Sequence, residues 1–373
     1  MIFFYYGSDS SILNIRQSEI RRRNMAFLSA LSTSSEAERI YAVYYSSKIQ
    51  FLKNWINTLI SNHKIVILYY TYFIPLSFFG INLSYLNNIL IRIFYFPLSF
   101  KLRGKQVMHW CYWPNGYKQY KIFKFRGKLI FDSDHNIVND PNNIALSEVE
   151  LHKKKALLSE IAKKANIIIS GSRSMLLWFK NENILLSLYY LPNGVFYQSK
   201  EMGFTPKKKT QKVVYCGIIS NWVKTEWLFR LIENNPLLEF HIIGKDYKTE
   251  ITPLLKEYNN VTLHGFLPLP EANKIIETCD VAIALYREGA NIDGSSMKIL
   301  DYLMQNKYVV TNRFHEHLWE DYNGLIHCAD TYEDFEKQIR YPSQYNYTQE
   351  NIQQFLQRNT WQTLTNQFIN SIK

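Results

Sequence analysis

The sequence predicts an α/β protein made of two doubly wound halves that face one another across a cleft. Three observations carry this. Apolar strand-like runs alternate with helical spacing along the whole chain, which calls for right-handed βαβ units and parallel sheets covered on both faces. At 373 residues the chain exceeds the roughly 250–300 residues at which a single core stops growing. A polar stretch without periodicity, Phe204 to Gln211, divides the alternation into two similar series.

The first series opens on Met1-Ile-Phe-Phe-Tyr-Tyr, a strand running into a loop at Gly7-Ser8. It lacks a basic lead and a long apolar core, so it does not read as a signal peptide. Ser18 to Leu31 has helical spacing, and Ile40 to Tyr45 forms the next strand. Ile65 to Ile91 carries one uncharged run long enough to raise a membrane span. Pro75, Gly80, Asn82, Asn87 and Asn88 interrupt it. It therefore reads as a buried strand (Ile65 to Tyr70), a Pro-containing loop and an apolar helix from about Ser84. Further strands fall at Gln106 to Tyr112, Lys128 to Phe131, Asn166 to Ser170 and Leu188 to Leu191, with a long helix over Ala145 to Ala165. Pro192-Asn-Gly194 closes the half.

The second series runs through strand Val213 to Cys216, helix Thr225 to Asn234, and strands Leu238 to Ile243 and Val261 to His264. Helix Pro270 to Thr278 follows. A last amphipathic helix, Thr348 to Ile372 with Trp361, is expected to pack back across the first half.

Composition narrows the function classes. Hydrophobic content of 47% excludes a disordered chain, and 16% aromatic residues is high. Cys111, Cys216, Cys279 and Cys328 are scattered, mostly in apolar runs, which points to buried thiols in a reducing, cytoplasmic compartment. The net charge of +11 calls for an anionic partner. No nucleic-acid motif accompanies it, so an anionic substrate or lipid surface is the better match.

The most informative stretch is Asp280-Val-Ala-Ile-Ala-Leu-Tyr286, then Gly294-Ser-Ser-Met-Lys298-Ile-Leu-Asp301, then Tyr308-Val-Val-Thr311. It reads as a buried strand, a loop, a helix starting behind two serines, and another buried strand. Unpaired amides and the dipole at a helix start favour anions. Phosphates would sit at Ser295 and Ser296, Lys298 would add a cation, and Asp301 would accept from ribose hydroxyls. A diphosphate and a diol read by one helix suggest a nucleotide sugar. Gly217 and Gly244 each follow a buried strand, where the missing Cβ lets the main chain approach a ligand closely.

These segments carry a resemblance. With Ala165-Asn-Ile-Ile-Ile-Ser-Gly-Ser172, Leu191-Pro-Asn-Gly-Val195, Val214-Tyr-Cys-Gly-Ile-Ile-Ser-Asn-Trp222, Phe240-His-Ile-Ile-Gly244 and Val261-Thr-Leu-His-Gly-Phe266, they resemble the GT-B glycosyltransferases, in order from about Lys128 to the end. Within that class the chain is similar to bacterial family-four-like enzymes, and to the glucuronosyltransferases and teichuronic-acid-type transferases of exopolysaccharide synthesis. The resemblance implies two Rossmann-like domains: an acceptor-binding domain over 1–203 and a donor-binding domain over 204–345, with a returning helix over 346–373. It implies a UDP-sugar donor, for which Tyr286, Met297 and Lys298 match nucleotide-holding positions. Asp301 stands where the wider family has a Glu for ribose. The usual glycine-rich loop and Arg/Lys pair are not evident, and Lys224 would supply part of that role.

These departures favour an inverting enzyme, which needs a general base for the acceptor hydroxyl. Phe131-Asp-Ser-Asp134-His135 offers it straight after a strand. Asp134 is the first choice, with Asp132 and His135 as alternatives, because strand alternation puts both aspartates on one side. No cofactor is expected beyond the UDP-sugar co-substrate. Asp132-x-Asp134 resembles the metal pair of GT-A transferases, yet two oxygen ligands alone make no metal site, so no metal is expected. Arg16 and Arg21 would meet an anionic acceptor or acidic lipid, and Trp110 and Trp113 would stack on sugar rings. The partners expected are a lipid-linked glycan of capsule, exopolysaccharide or lipopolysaccharide type, at the inner face of the cytoplasmic membrane, and no nucleic acid. A nucleotide-sugar epimerase of the same fold, or a non-catalytic UDP-sugar- or nucleic-acid-binding protein, is the alternative.

Overall fold

The computed structural model describes residues 1–7, 23–74, 77–78, 81–123, 125–139, 146–197, 210–247, 249–287, 293–342 and 348–373. It divides into two compact units: Met1–Asp134 with Leu146–Leu191 and Thr365–Lys373, and His135–Ala145 with Pro192–Leu364. The 203/204 boundary expected from the sequence lies outside the described residues, as does most of the Phe204 to Gln211 linker.

In the first unit the strands are β1 (Ile2–Tyr6), β2 (Arg39–Tyr45), β3 (Ile65–Tyr70), β4 (Ser77–Phe78), β5 (Ile81–Asn82), β6 (Val107–Tyr112), β7 (Lys128–Ser133), β8 (Ile167–Ser170) and β9 (Ser187–Tyr190). β4 and β5 form a small antiparallel ribbon. The others make one sheet in the order β3-β2-β1-β6-β7-β8-β9, with every pair parallel. β1 is buried at all its positions, as a central strand with helices on both faces must be. Aromatic side chains fill this core. Trp110 is fully buried among Tyr5, Phe27 and Phe368, with ring centroids 5.9, 5.1 and 5.4 Å away.

The second unit contains β10 (Lys212–Cys216), β11 (Glu239–Ile243), β12 (Val261–Gly265), β13 (Val281–Ala284), β14 (Tyr308–Asn312) and β15 (His327–Ala329). Its sheet is also parallel throughout, in the order β12-β11-β10-β13-β14-β15. Successive residues of each strand feed opposite cores. Val214, Ala282 and Val309 pack with Ile299 and Leu300, whereas Val213, Ile283 and Val310 pack with Leu228 and Leu231.

The structure adds helices that the sequence pattern does not announce, among them Lys48–Ile60, Trp113–Phe123, Arg173–Glu182 and Tyr332–Arg340. Trp113–Phe123 is disguised by its Pro-Asn-Gly start. Pro114 is tolerated there because a first-turn residue has no intrahelical carbonyl to donate to. Gly116 is required because a Cβ would come within 2.9 Å of the Tyr6 carbonyl. The single terminal helix expected from Thr348 is two, Gln349–Arg358 and Trp361–Ser371. The break has a backbone cause. Val195 N–H donates to the Asn359 carbonyl (3.0 Å) and Trp361 N–H to the Val195 carbonyl (3.1 Å), which removes these groups from a helical ladder.

Candidate functional site

In each sheet the strand order reverses at one point, between β1 and β6 and between β10 and β13, and open α/β sheets bind ligands beyond the carboxyl ends of the strands there. In the second unit the β10–β13 ladder covers Val213↔Val281 and Val214↔Ala282. Tyr302, from the helix Met297–Met304, bridges the strand ends. Its hydroxyl accepts the Cys216 N–H at 2.7 Å and lies 3.2 Å from the Ile283 carbonyl.

Beyond this bridge the structure brings together Gly217, Gly244, Tyr286, Ser296 and Lys298. The Lys298 ammonium donates to Tyr215 Oη (3.1 Å) and lies 4.4 and 4.7 Å from the Tyr215 and Tyr286 ring centroids. Tyr215 gives its own proton to the Ile218 carbonyl (3.0 Å), leaving a lone pair for the lysine. Burial lowers the Lys298 pKa to about 8, and among the described residues no carboxylate pairs with it.

The two glycines have structural reasons sharper than ligand approach alone. A Cβ on Gly217 would stand 3.0 Å from Lys298 Cε and Nζ, so glycine gives the ammonium its place. Gly244 has φ +143°, and a Cβ there would meet the Gly217 carbonyl at 1.9 Å. Gly217 N–H donates to Ile243, and Gly244 N–H to Gly265, which fixes the two loops against each other.

Ser296 departs from its expected role. Its hydroxyl lies 2.6 Å from Tyr286 Oη and makes no helix cap, and its amide donates to Tyr322 Oη at 2.7 Å. Both groups therefore have partners within the protein, which counts against the phosphate contact expected of Ser296. Met297, Lys298 and Ile299 are the first-turn N–H groups that helix geometry leaves without intrahelical acceptors. The Ser295 carbonyl accepts from Asn193 (2.7 Å). Met297 is half-buried against the core, and Asp301 is buried on the same helix. The Lys224 ammonium lies 4.3 Å over the Trp227 ring, which packs on Tyr332 and Phe335. Sequence reasoning missed Tyr215, Tyr302 and Tyr322, whose hydroxyls tie the strand ends to Lys298 and to the helix start. They sit in apolar periodic runs that read as plain core.

In the first unit the two aspartates of the Asp-Ser-Asp motif have different surroundings. Asp132 is fully buried. Its Oδ1 accepts from Arg23 Nε at 3.0 Å and its Oδ2 from Trp110 Nε1 at 3.1 Å. Burial pushes its pKa up, and the Arg23 charge opposes that shift. Asp132 is thus corrected from candidate base to half of a buried ion pair. Trp110 is likewise a core residue and no sugar platform. Arg23 closes an arginine run that reads in the sequence like a solvent- or acceptor-facing one, and it is the cation that holds Asp132. Arg16 and Arg21 lie outside the described residues.

Asp134 stands just past the end of β7 and is half-buried. Trp113 Nε1 donates to its Oδ1 (2.9 Å) and Tyr112 Oη to its Oδ2 (3.1 Å). Burial, reinforced by the Asp134 charge, holds Tyr112 far above the usual phenol range, so it stays a donor. These two donors, reaching different oxygens, help set the plane of the carboxylate. Trp113 takes a left-handed φ of +61°, rare for a bulky residue and common where a site over-determines the chain. Gly171 allows close packing here, since a Cβ would lie 2.7 Å from the Asp134 carbonyl. His135 is also half-buried.

With this geometry in hand, solved structures give the fold its name. The chain is similar to the apo lipopolysaccharide outer core galactosyltransferase WaaB at 15% identity, covering 100% of this chain and 98% of that one with a TM-score of 0.61. It is similar to Anabaena HepE, solved with UDP and glucose, at 15% identity, 100% and 98% coverage and a TM-score of 0.57. The fold is GT-B. A mutant of S. aureus TarM, solved with Fondaparinux, alpha-GlcNAc-glycerol and UDP, shares it at 14% identity and a TM-score of 0.51. There the match covers 74% of this chain and 58% of TarM. At such identities the likeness is one of fold. Residues 224–370, which lie mostly in the second unit, match the Glycosyl transferase-like family model. No curated protein matches the sequence.

Two outcomes follow from these environments. Lys298→Met removes a desolvated charge, so at pH 7 it should raise the melting temperature by roughly 2 °C or more. The folded pKa lies below the unfolded one, so the folded state binds fewer protons between about 8 and the ordinary lysine value. Wild-type stability should therefore gain on the variant as pH rises through that window, measured by scanning calorimetry. Asp132→Ala leaves Arg23 buried without its anion and should cost about 3–5 kcal/mol in urea unfolding. Asp132→Ala combined with Arg23→Met should recover much of that loss.

Proposed function

We propose that the protein transfers a sugar from a UDP-sugar to an acceptor hydroxyl. The second unit holds the donor and the first supplies the base. The observation that carries this reading is the Lys298 ammonium, desolvated at a strand-order reversal beside a helix start and without a carboxylate among the described residues. A half-buried cation held only by neutral groups among the described residues is costly, and a diphosphate would satisfy it. The same ammonium, with the first amides of Met297–Met304, stabilises the UDP leaving group as charge develops on it. Asp301, on the same helix, is the group for the ribose hydroxyls. UDP in the HepE and TarM structures supports a uridine nucleotide as the ligand of this fold.

On the acceptor side Asp134 takes the hydroxyl proton as that oxygen attacks the anomeric carbon, in an inverting displacement. Tyr112 and Trp113 are neutral donors. Each donates to one oxygen of the carboxylate and so orients it. The acceptor class we favour is a lipid-linked oligosaccharide or surface glycan, in keeping with the lipopolysaccharide substrate named for WaaB.

The test is UDP release from a panel of UDP-sugars, with and without acceptor glycans, alongside calorimetric UDP titration. Asp134→Asn should lower kcat by about 10²–10⁴-fold while leaving UDP affinity within about twofold. Lys298→Met should weaken UDP by roughly tenfold or more. Turnover near wild type in Asp134→Asn would remove the base assignment, and silence towards every uridine ligand would remove the reading as a whole.

A further inference from the structure

The chain's positive excess is concentrated in one stretch. Residues 39–131 contain thirteen Lys and Arg and no Asp or Glu, against a net charge of +11 for the whole protein. The same stretch contributes an apolar surface. Helix Lys48–Ile60 turns Phe51 and Trp55 inward, where both meet Phe94 of helix Ser84–Phe94 at 5.1 and 5.4 Å. Its opposite side is also aliphatic. Ile49, Leu52, Ile56 and Ile60 recur at helical spacing and are 68%, 53%, 53% and 65% exposed. The neighbouring helix shows Tyr85, Leu86 and Ile93 outward, and the following helix Phe96–Lys101 shows Phe96 and Phe100.

A surface helix ordinarily presents a polar face to water, and singly exposed apolar residues need no explanation. Adjacent helices whose outward faces are aliphatic and aromatic do need one. Cations border the patch. Lys53 is exposed on the first helix, the Lys101 ammonium reaches the Leu59 carbonyl, and the Arg103 guanidinium lies 4.5 Å over the Phe100 ring. Long basic side chains bordering an apolar face suit an interface with lipid headgroups outside and acyl chains beneath. No helix among the described residues is long and apolar enough to cross a membrane, so the match is to a helix pair lying on the surface.

We infer that this face of the first unit docks on an anionic lipid bilayer. The charge favours lipid over a second copy of the chain, since pairing two such faces would oppose like charges, whereas anionic headgroups attract each Lys and Arg. The inference stands apart from the sugar-transfer reading, because it concerns adsorption and requires no donor or acceptor.

Flotation of the purified full-length chain with phosphatidylcholine vesicles, with and without phosphatidylglycerol, tests it. The wild type should float with the phosphatidylglycerol vesicles and release as salt rises. The Ile49→Glu/Ile56→Glu double variant, at exposed positions, should keep the wild-type melting temperature and bind roughly tenfold more weakly or worse. Lys53→Glu/Arg103→Glu should weaken the anionic preference. The inference falls if wild type ignores phosphatidylglycerol, or if the Ile49→Glu/Ile56→Glu variant floats as well as wild type. It also falls if light scattering shows a dimer that this variant dissolves, which would give the face to a second copy.

Discussion

The Lys298 ammonium, paired with no carboxylate among the described residues, organises the strand ends of the second unit. The Lys298 ammonium is packed against two tyrosine rings and one phenol oxygen, and the strand ends around it are shaped to make that packing fit. Gly217 yields the space for Nζ, and Gly244 yields the space for Gly217. Tyr302 ties Cys216 to the neighbouring strand end at the point where β10 and β13 no longer pair. Together they hold the ammonium in one place, which is the preorganisation that the proposed donor role requires.

The first unit shows the complementary logic on carboxylates. Asp132 and Asp134 are two residues apart, and their surroundings separate them. Asp132 meets a guanidinium and an indole in full burial, which makes it part of the framework joining helix Arg23–Thr33 to β6 and β7. Asp134 accepts from the Trp113 indole and the Tyr112 hydroxyl at the strand end and stays half-buried. The first carries the geometry, and the second is partly open to solvent. The left-handed Trp113 belongs to this arrangement, since its indole is one of the two groups that aim the carboxylate.

Much of the fold is legible in the sequence because parallel strands buried on both faces announce themselves as continuous apolar runs. Ile40 to Tyr45, Val213 to Cys216 and Asp280 to Tyr286 are of that kind. Hidden from it are helices whose signals conflict with their surroundings. Trp113–Phe123 opens with turn residues, and Lys48–Ile60 is apolar on opposite sides and so lacks clean amphipathic spacing. The terminal helix is legible in extent but not in its break, which depends on a long-range backbone pairing with Val195. For the site, Gly217, Tyr286 and Asp134 stand just past strand ends and Lys298 in the first turn of helix Met297–Met304. Partners cannot be read in the same way. Arg23 looks like one more surface arginine and Asp132 like a second catalytic carboxylate, since nothing local in either segment records that they meet 109 positions apart.

The central claim is that Lys298 is held as a desolvated cation until an anion satisfies it. NMR titration of the Lys298 side chain, with ¹⁵N- and ¹³C-labelled lysine, measures this directly. The account predicts a pKa near 8 in the free protein, rising by about a unit or more when UDP is bound. A free-protein pKa at the ordinary lysine value of about 10.4, unmoved by UDP, would contradict it.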